Sequence, residues 1–468
     1  MRLFKIITYL SVFFLVTACE PLDISKLTKS QFSSAKGQIK EAGKALSILP
    51  DVSDVSDAKP MPLSSLIKSA AADIEVDQGF KPAIKLAVLS DPLVMSANND
   101  LSSQQASIEI SKSLKDFQIS GTVYGGIEDV SDETAGVAVV LSANRMIFDG
   151  GQLDNQISSQ EFIAQAAAFK LEALKNERAY DAANAWLDLE RYLSLSRLIG
   201  DRLEVLGPLI KQLETVAEAG VGDVSRVAAA QRTVSLIRVT QTDVAERLEQ
   251  AKVNFIAIFG NLPSEAVYDG DALSKSVPSV IESDMILQAS GLKAEYAAYQ
   301  AALAGLKLVQ AKDNYNVGFE SKVQRPIGGS SLDSDESIGL VVQKTFYNGQ
   351  KLASELSQSQ AKLDAQAERL KSTFRLGKKA VENSQQTIKS MDNAIALAKI
   401  NAENLSEEIK YLKQQLIIGQ STLDSVLSAE ARLYDAQSKE INFMASRMLA
   451  ELTLLSTFGL LTNFFEIE

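Results

Sequence analysis

The chain has 468 residues, with 59 acidic against 47 basic side chains, a formal net charge of −12 and no histidine. That balance argues against a nucleic-acid partner. The missing imidazole removes the commonest general base and transition-metal ligand, and it excludes Ser-His-Asp and Cys-His chemistry. Acids scattered over helical faces are ordinarily solvated, and the 8 Met are dispersed rather than clustered. Neither an enzyme, a cofactor nor a metal site is expected.

The first residues read as an address. Met1, Arg2 and Lys5 precede the apolar run Ile6 to Val16, and Val16-Thr17-Ala18-Cys19 follows. A basic start, a short apolar stretch and small residues before a cut describe a secretory signal over residues 1–18. The run is too short for a spanning helix. A Cys directly after a small residue resembles a bacterial lipobox, which implies lipid attachment at Cys19. The other reading is an ordinary signal with an incidental cysteine. Cys19 is the sole cysteine, so no intrachain disulfide framework exists. Glu20 stands where an Asp would resemble the inner-membrane retention signal, which points the lipid to the outer membrane. Each buried acyl methylene contributes about 0.8 kcal/mol to such an anchor. Residues 19–62 are polar and read as a lipid-anchored tether with little fixed structure.

Beyond the tether the chain repeats itself. Gly220-Val-Gly-Asp223 through Gln231 aligns with Gly419-Gln-Ser-Thr422 through Glu430 (419 − 220 = 199), and Phe259-Gly260 aligns with Phe458-Gly459 (459 − 260 = 199). Upstream, Phe148-Asp-Gly150-Gly151 aligns with Phe346-Tyr-Asn-Gly349 one residue short (349 − 151 = 198). Such self-similarity marks a duplicated unit. The first repeat spans 63–260: a helical stretch over 63–115, a strand pair 117–127/136–148, a turn at Phe148, Gly150 and Gly151, a long helix 152–219 and a helix 223–259. A linker over 261–281 leads to the second repeat at 282–459. Its elements are a helix 282–313, a strand pair 315–324/337–346, a turn at Phe346 and Gly349, a long helix 350–418 and a helix 421–458. A tail over 460–468 closes the chain. The long helices reach roughly 100 Å, beyond anything an ordinary compact domain houses. Gly207-Pro208 is expected to kink or break the first of them.

The helices carry a coiled-coil period. Leu423, Leu427, Glu430, Tyr434, Gln437, Ile441, Met444 and Met448 recur in alternating steps of four and three. Val224, Val227, Gln231 and Val234 do the same, and Val244, Leu248, Ala251, Phe255 and Ile258 resume the pattern. A period near 3.5 residues indicates antiparallel coiled-coil packing or a bundle core. Gln231 and Glu430 are polar positions of this seam, placed either to set register or to face a lumen.

The strand segments alternate. Phe117, Ile119, Val123 and Ile127 share one face, with Gln118, Ser120 and Thr122 on the other. Val137, Val139, Leu141 and Ala143 alternate likewise. So do Val317, Phe319 and Val323 against Glu320 and Lys322, and Ile338, Leu340 and Val342 against Ser337 and Gln343. Runs of about ten residues, apolar outward and polar inward, are the signal of transmembrane barrel strands. Soluble half-buried hairpins show the same alternation. On the barrel reading, Glu320 and Lys322 face a wet lumen. Four strands cannot close, and open edges are not tolerated in hydrocarbon. The chain must then share a barrel with copies of itself.

The repeat, the turns at Phe148 to Gly151 and Phe346 to Gly349, and the Gly419 to Ala429 segment with its echo at Gly220 to Ala230 resemble the TolC family of outer-membrane efflux and secretion proteins, in its lipoprotein branch. The likeness covers about 63–459. The resemblance implies a mainly α chain with a β membrane part. Duplicated helical hairpins would form a periplasmic α-barrel, and a homotrimer would close a 12-stranded barrel (about four strands per copy) in outer-membrane lipid. It also implies a passive duct served by a periplasmic adaptor and an inner-membrane RND or ABC transporter, with the entrance at the tips near Gly220 and Gly419. Relatives carry acidic rings at the second tip. Here those positions are Ser425 and Ser428, and the first-repeat counterpart of the former is Arg226. Asp424, Glu430, Asp223 and Arg226 are therefore the candidates to line or brace the gate. Solvated tip charges, worth about 0–1 kcal/mol each, are the plainer reading.

Three functions remain in view. The leading one is the outer-membrane channel of a tripartite drug-efflux system. A type I protein secretion duct would use the same architecture. A periplasmic coiled-coil adaptor or envelope spacer would instead carry one hairpin between compact β-rich halves.

Overall fold

A computed structural model describes residues 62–63, 74–129, 134–219, 224–264, 266, 270–278, 283–327 and 333–467. The signal, Cys19 and all but the end of the tether therefore lie outside the described residues. The elements, after a 3-10 turn at Val76–Gln78, are α1 (Phe80–Ser90), α2 (Pro92–Ser113), β1 (Gln118–Asp129), β2 (Thr134–Phe148), α3 (Gln152–Glu218), α4 (Val224–Phe259) and α5 (Gly270–Ser276). A second 3-10 turn at Ser283–Gln288 precedes α6 (Ser290–Ala311), β3 (Asn316–Ile327), β4 (Asp335–Gln343), α7 (Lys351–Ile417), α8 (Leu423–Thr457) and α9 (Leu461–Phe464). The chain divides into a sheet unit, holding 107–160 and 303–360, and a helical unit, holding 63–106, 161–302 and 361–468.

In the sheet unit the strands form one antiparallel meander in the order β1-β2-β3-β4. The two repeats meet at β2 and β3, where Leu141 pairs with Val323 and Arg145 with Phe319. β1 and β4 are the edges, and each pairs on one side only among the described residues.

The duplication is visible as equal elements. α2 and α6 have 22 residues each, and α3 and α7 have 67 each. The structure corrects the alignment of the turns. Asp149 and Asn348 take the same place one turn before their helices (348 − 149 = 199), which matches Phe148 with Tyr347 rather than with Phe346. First strands are offset by 316 − 118 = 198 and second strands by 343 − 144 = 199, so the extra residue lies in the hairpins and not in the long helices.

In the helical unit the largest apolar cluster gathers around Trp186. It holds Phe80 and Ile84 of α1, Phe255 and Phe259 of α4, Leu273 of α5 and Leu452 of α8. A second cluster joins Ile199 and Leu206 of α3 to Val234 and Ile237 of α4 and to Leu427 of α8. A third joins Leu405 and Ile409 of α7 to Ala429 and Leu433 of α8. Much of the expected seam is thus buried, including Val234, Val244, Leu248, Phe255 and Leu427, while Val224 and Met444 are exposed.

Three expectations need correction. α3 runs through Gly207-Pro208 without a break. Proline removes the bond to the carbonyl of Glu204, but Glu204, Gly207 and Pro208 are all exposed, so the loss falls on the solvent side of the helix while Leu206 stays anchored in the core. The linker contains α5, whose Leu273 is fully buried. The C-terminal tail is part of the core. Asn176 accepts from the Leu461 amide at 3.1 Å and donates to the Ser456 carbonyl at 2.8 Å, and Phe465 packs edge-on against Phe80.

Candidate functional site

The strand-to-helix turns are built by side-chain caps. Asp149 accepts from the Gly151 amide at 2.9 Å and the Leu153 amide at 2.6 Å, which satisfies donors that the first turn of α3 leaves free. Gly150 and Gly151 have φ of 66° and 91°, in the left-handed region. At Gly150 a Cβ would lie 2.3 Å from the Asn314 Cβ, and Asn314 donates to the Gly150 carbonyl. In the second repeat Gly349 has open space around it, and Gln350 takes the left-handed φ of 68° that Gly151 takes in the first. Phe148 lies against Tyr315, with ring centroids 5.2 Å apart, and Phe117 meets Phe319 edge-on at 5.8 Å. Phe346 and Tyr347 are exposed. An aromatic border therefore lines the helix-side ends of the strands.

Register sorts the sheet into two faces. Residues directly opposite in a ladder point the same way. Ile119, Leu141, Val139, Val323, Phe319, Ile338 and Leu340 therefore share one face, and several of them are exposed. The Arg325–Glu336 ion pair lies on that face toward the hairpin ends, and Arg325 is ten residues beyond Tyr315, which immediately precedes β3 (325 − 315 = 10). Ten residues of strand tilted by about 45° rise roughly 25 Å, the height of a barrel's apolar band. The opposite face carries Gln118, Ser120, Thr122, Ser142 and Asn144 with exposed Glu320 and Lys322. The two charged residues share the wet face, two positions apart on one strand.

The tip between α7 and α8 closes in five residues. Gly419, at φ 75°, donates to the Leu416 carbonyl at 3.2 Å, and Gln420 donates to the Gln415 carbonyl at 2.8 Å. These are the two bonds of a Schellman stop. Thr422 then caps α8, accepting from the Ser425 amide at 3.2 Å, and its hydroxyl lies 2.7 Å from the Ser425 hydroxyl. Asp424 stands in the first turn of α8, where the helix dipole favours a negative charge. Ser425 and Ser428 are half-buried. Gly220 and Asp223 lie outside the described residues, as does the Arg226 side chain, and Gln231 is exposed on α4.

Glu430 is placed elsewhere. Its carboxylate is 1% exposed, bound by Arg202 of α3 and by Lys413 of α7 at 2.8 Å. Arg202 also donates to Gln437 at 2.8 Å. Of the two sequence readings, lumen or register, the buried carboxylate takes up the inside of the protomer and ties three helices together. Arg202 and Lys413 belong to no seam and carried no sequence signal. A second buried carboxylate, Glu451, meets Arg447 at 2.9 Å and Ser274 at 3.2 Å, and Arg447 reaches Asp392 of α7. Burial raises the Glu451 carboxyl above the ordinary range against the opposing pull of Arg447.

No protein-family model matches the chain. Its fold matches that of CusC, over 83% of this chain and 93% of that one, with a TM-score of 0.72 and 16% identity. The structure has the TolC-type outer-membrane channel fold. The Campylobacter jejuni CmeC outer membrane channel matches over 81% of this chain and 84% of its own, with a TM-score of 0.70 and 12% identity. In sequence, the outer membrane efflux protein BepC of Brucella suis biovar 1 (strain 1330) is 21% identical over 374 residues, 77% of this chain and 80% of that protein. Among the described residues no helix is long and apolar enough to cross a membrane.

Proposed function

We propose that this chain is one protomer of a trimeric outer-membrane duct, the exit channel of a tripartite export system. The observation that carries it is the meander: four strands, apolar and exposed on one face, polar on the other, with both edges unpaired among the described residues. Such a sheet satisfies its backbone in hydrocarbon only inside a closed barrel, and copies of the chain supply the missing strands. Ile119, Leu141, Ile338 and Leu340 then face lipid, while Glu320 and Lys322 line the lumen. Two helical hairpins, each following a strand pair, support a duct over an adaptor or spacer, which would carry one. Cys19 carries the lipid anchor, and the duct extends from the outer membrane into the periplasm.

Transport through such a duct is passive, with an inner-membrane RND or ABC pump and a periplasmic adaptor supplying energy and cargo. The Brucella relative is named an efflux protein, and small-molecule efflux is the cargo we propose. The tip near Gly419 is the entrance, with Asp424 as its acidic residue and Arg226 bracing the facing tip.

Fractionation tests the duct: a detergent-requiring trimer in outer membranes is expected, and release by removal of the lipid alone rejects it. Deletion tests the cargo, since drug sensitivity marks efflux and loss of a secreted protein marks type I secretion. In planar bilayers Asp424→Ala is expected to weaken cation preference. Unchanged conductance and selectivity in both Asp424→Ala and Arg226→Ala would remove the gate assignment.

A further inference from the structure

Two arginines stand on the apolar face of the sheet among the described residues. Arg325 is paired with Glu336. Arg145 has no carboxylate partner among the described residues, although it shares a ladder row with Phe319 and Leu340. Leu340 is 66% exposed, so this row faces outward from the sheet. On the lipid side of a barrel a lone guanidinium is costly at mid-membrane and tolerated at the interface.

The Arg145 backbone lies three residues inside the end of β2 (148 − 145 = 3), roughly 10 Å of strand. Its side chain runs back toward the helices. Nε donates to the Lys115 carbonyl at 3.0 Å, in the turn between α2 and β1. The guanidinium carbon lies 5.2 Å from the centre of the Phe117 ring. An apolar stem along the sheet with its charge drawn to the boundary is a snorkelling arginine. The boundary here is the aromatic border, where Phe117 meets Phe319 and Phe148 meets Tyr315. Lys115 beside it is neutralised by Asp154. With Nε engaged, the two Nη groups of Arg145 have no hydrogen-bond partner among the described residues.

We propose that Arg145 and Phe117 bind the phosphate of an anionic glycerophospholipid in the periplasm-facing leaflet. The proposal rests on the reading of the meander as a share of a barrel with its helices in the periplasm. The Lys115 carbonyl fixes the guanidinium plane, and the two free Nη groups match two phosphate oxygens side by side. The Phe117 ring, half exposed, gives the glycerol and the first methylenes an apolar surface. The acyl chains then run along exposed Ile119 and Leu340, toward the hairpin ends.

The test is lipid binding to the detergent-purified full chain, read by native mass spectrometry. Dioleoyl phosphatidylglycerol is the probe, and dioleoylglycerol, with the same chains and no phosphate, is the control. The parent is expected to prefer phosphatidylglycerol, at one per chain. Arg145→Gln is expected to weaken that binding about tenfold. Arg325→Gln with Glu336→Gln is expected to leave it unchanged. Added phosphatidylglycerol should raise the thermal midpoint of the parent but not of Arg145→Gln, a difference that losing the Lys115 contact alone would not produce. A parent trimer without preference overturns the site, whether or not Arg145→Gln assembles. Binding that survives Arg145→Gln, or falls equally in the Arg325 and Glu336 double variant, also overturns it. The duct reading stands in each of those cases. A mass of one chain that needs no detergent overturns the duct reading and the site together.

Discussion

Replacing Glu430 by alanine removes a carboxylate that two helices share with α8. Deleting one member of a buried pair costs about 3–5 kcal/mol, because the other charge is left uncompensated. Arg202 is 13% exposed and keeps its bond to Gln437, which places the expected loss near the lower end, about 3 kcal/mol. The Lys413 side of the cluster is different. Its side chain is 40% exposed, so Lys413→Ala is expected to cost about 0–1 kcal/mol. Arg202→Ala leaves Glu430 with Lys413 alone and should match Glu430→Ala. The Arg202 Nε is itself buried without a hydrogen-bond partner, so the cluster is incompletely satisfied. Arg202→Met with Glu430→Leu should therefore recover most of either single loss. Urea midpoints of the helical circular dichroism in detergent, with slopes compared, read the order directly. Equal damage from Lys413→Ala and Glu430→Ala would refute this account, as would a Glu430→Ala chain within about 1 kcal/mol of the parent.

The strand-to-helix turns predict an asymmetry. Gly150→Ala and Gly349→Ala both place a side chain at left-handed φ, at about 1–2 kcal/mol each, but only Gly150→Ala also collides with Asn314. Thermal midpoints should fall further for the first, and equal shifts would count against it. Thr422→Ala removes the cap of α8 and should lower stability by about 1 kcal/mol, read from urea midpoints and restored by Thr422→Ser. Glu451 predicts a pH effect. Its folded pKa is raised by burial, so the folded chain binds that proton more tightly than the unfolded one. Its stabilising contribution is present below the unfolded carboxylate range and is lost as pH rises through the folded value. Acidification through that window should move the melting difference between parent and Glu451→Gln in the parent's favour, and a shift the other way would be incompatible with a raised pKa.

Much of the architecture could be read before any coordinates, because periodicity is local. The three-and-four spacing of Val234, Leu248, Phe255 and Leu427 reports a helix face wherever that face goes, and the alternation around Ile119 and Leu340 reports a strand face. Glycines at 150, 151, 349, 419 and 459 mark left-handed backbone that other residues adopt only at a cost. The turn alignment failed because Phe148 and Phe346 are alike in kind but not in place. The position is set by the cap, Asp149 or Asn348, and a cap is recognised by which amide it accepts from.

By itself the sequence determined the duplication, the element types, the amphipathic faces and the stops at Gly260, Gly419 and Gly459, all of them consequences of neighbours along the chain. Only the tertiary structure decided that Glu430 is buried between Arg202 and Lys413, two residues 211 positions apart (413 − 202 = 211) on different helices. It also decided that α3 survives Pro208 and that the C-terminal tail belongs to the core around Trp186. Those outcomes depend on what packs against each residue from distant parts of the chain. A buried charge and a solvated one have the same letter, and the free energy that separates them comes from partners that local pattern does not encode.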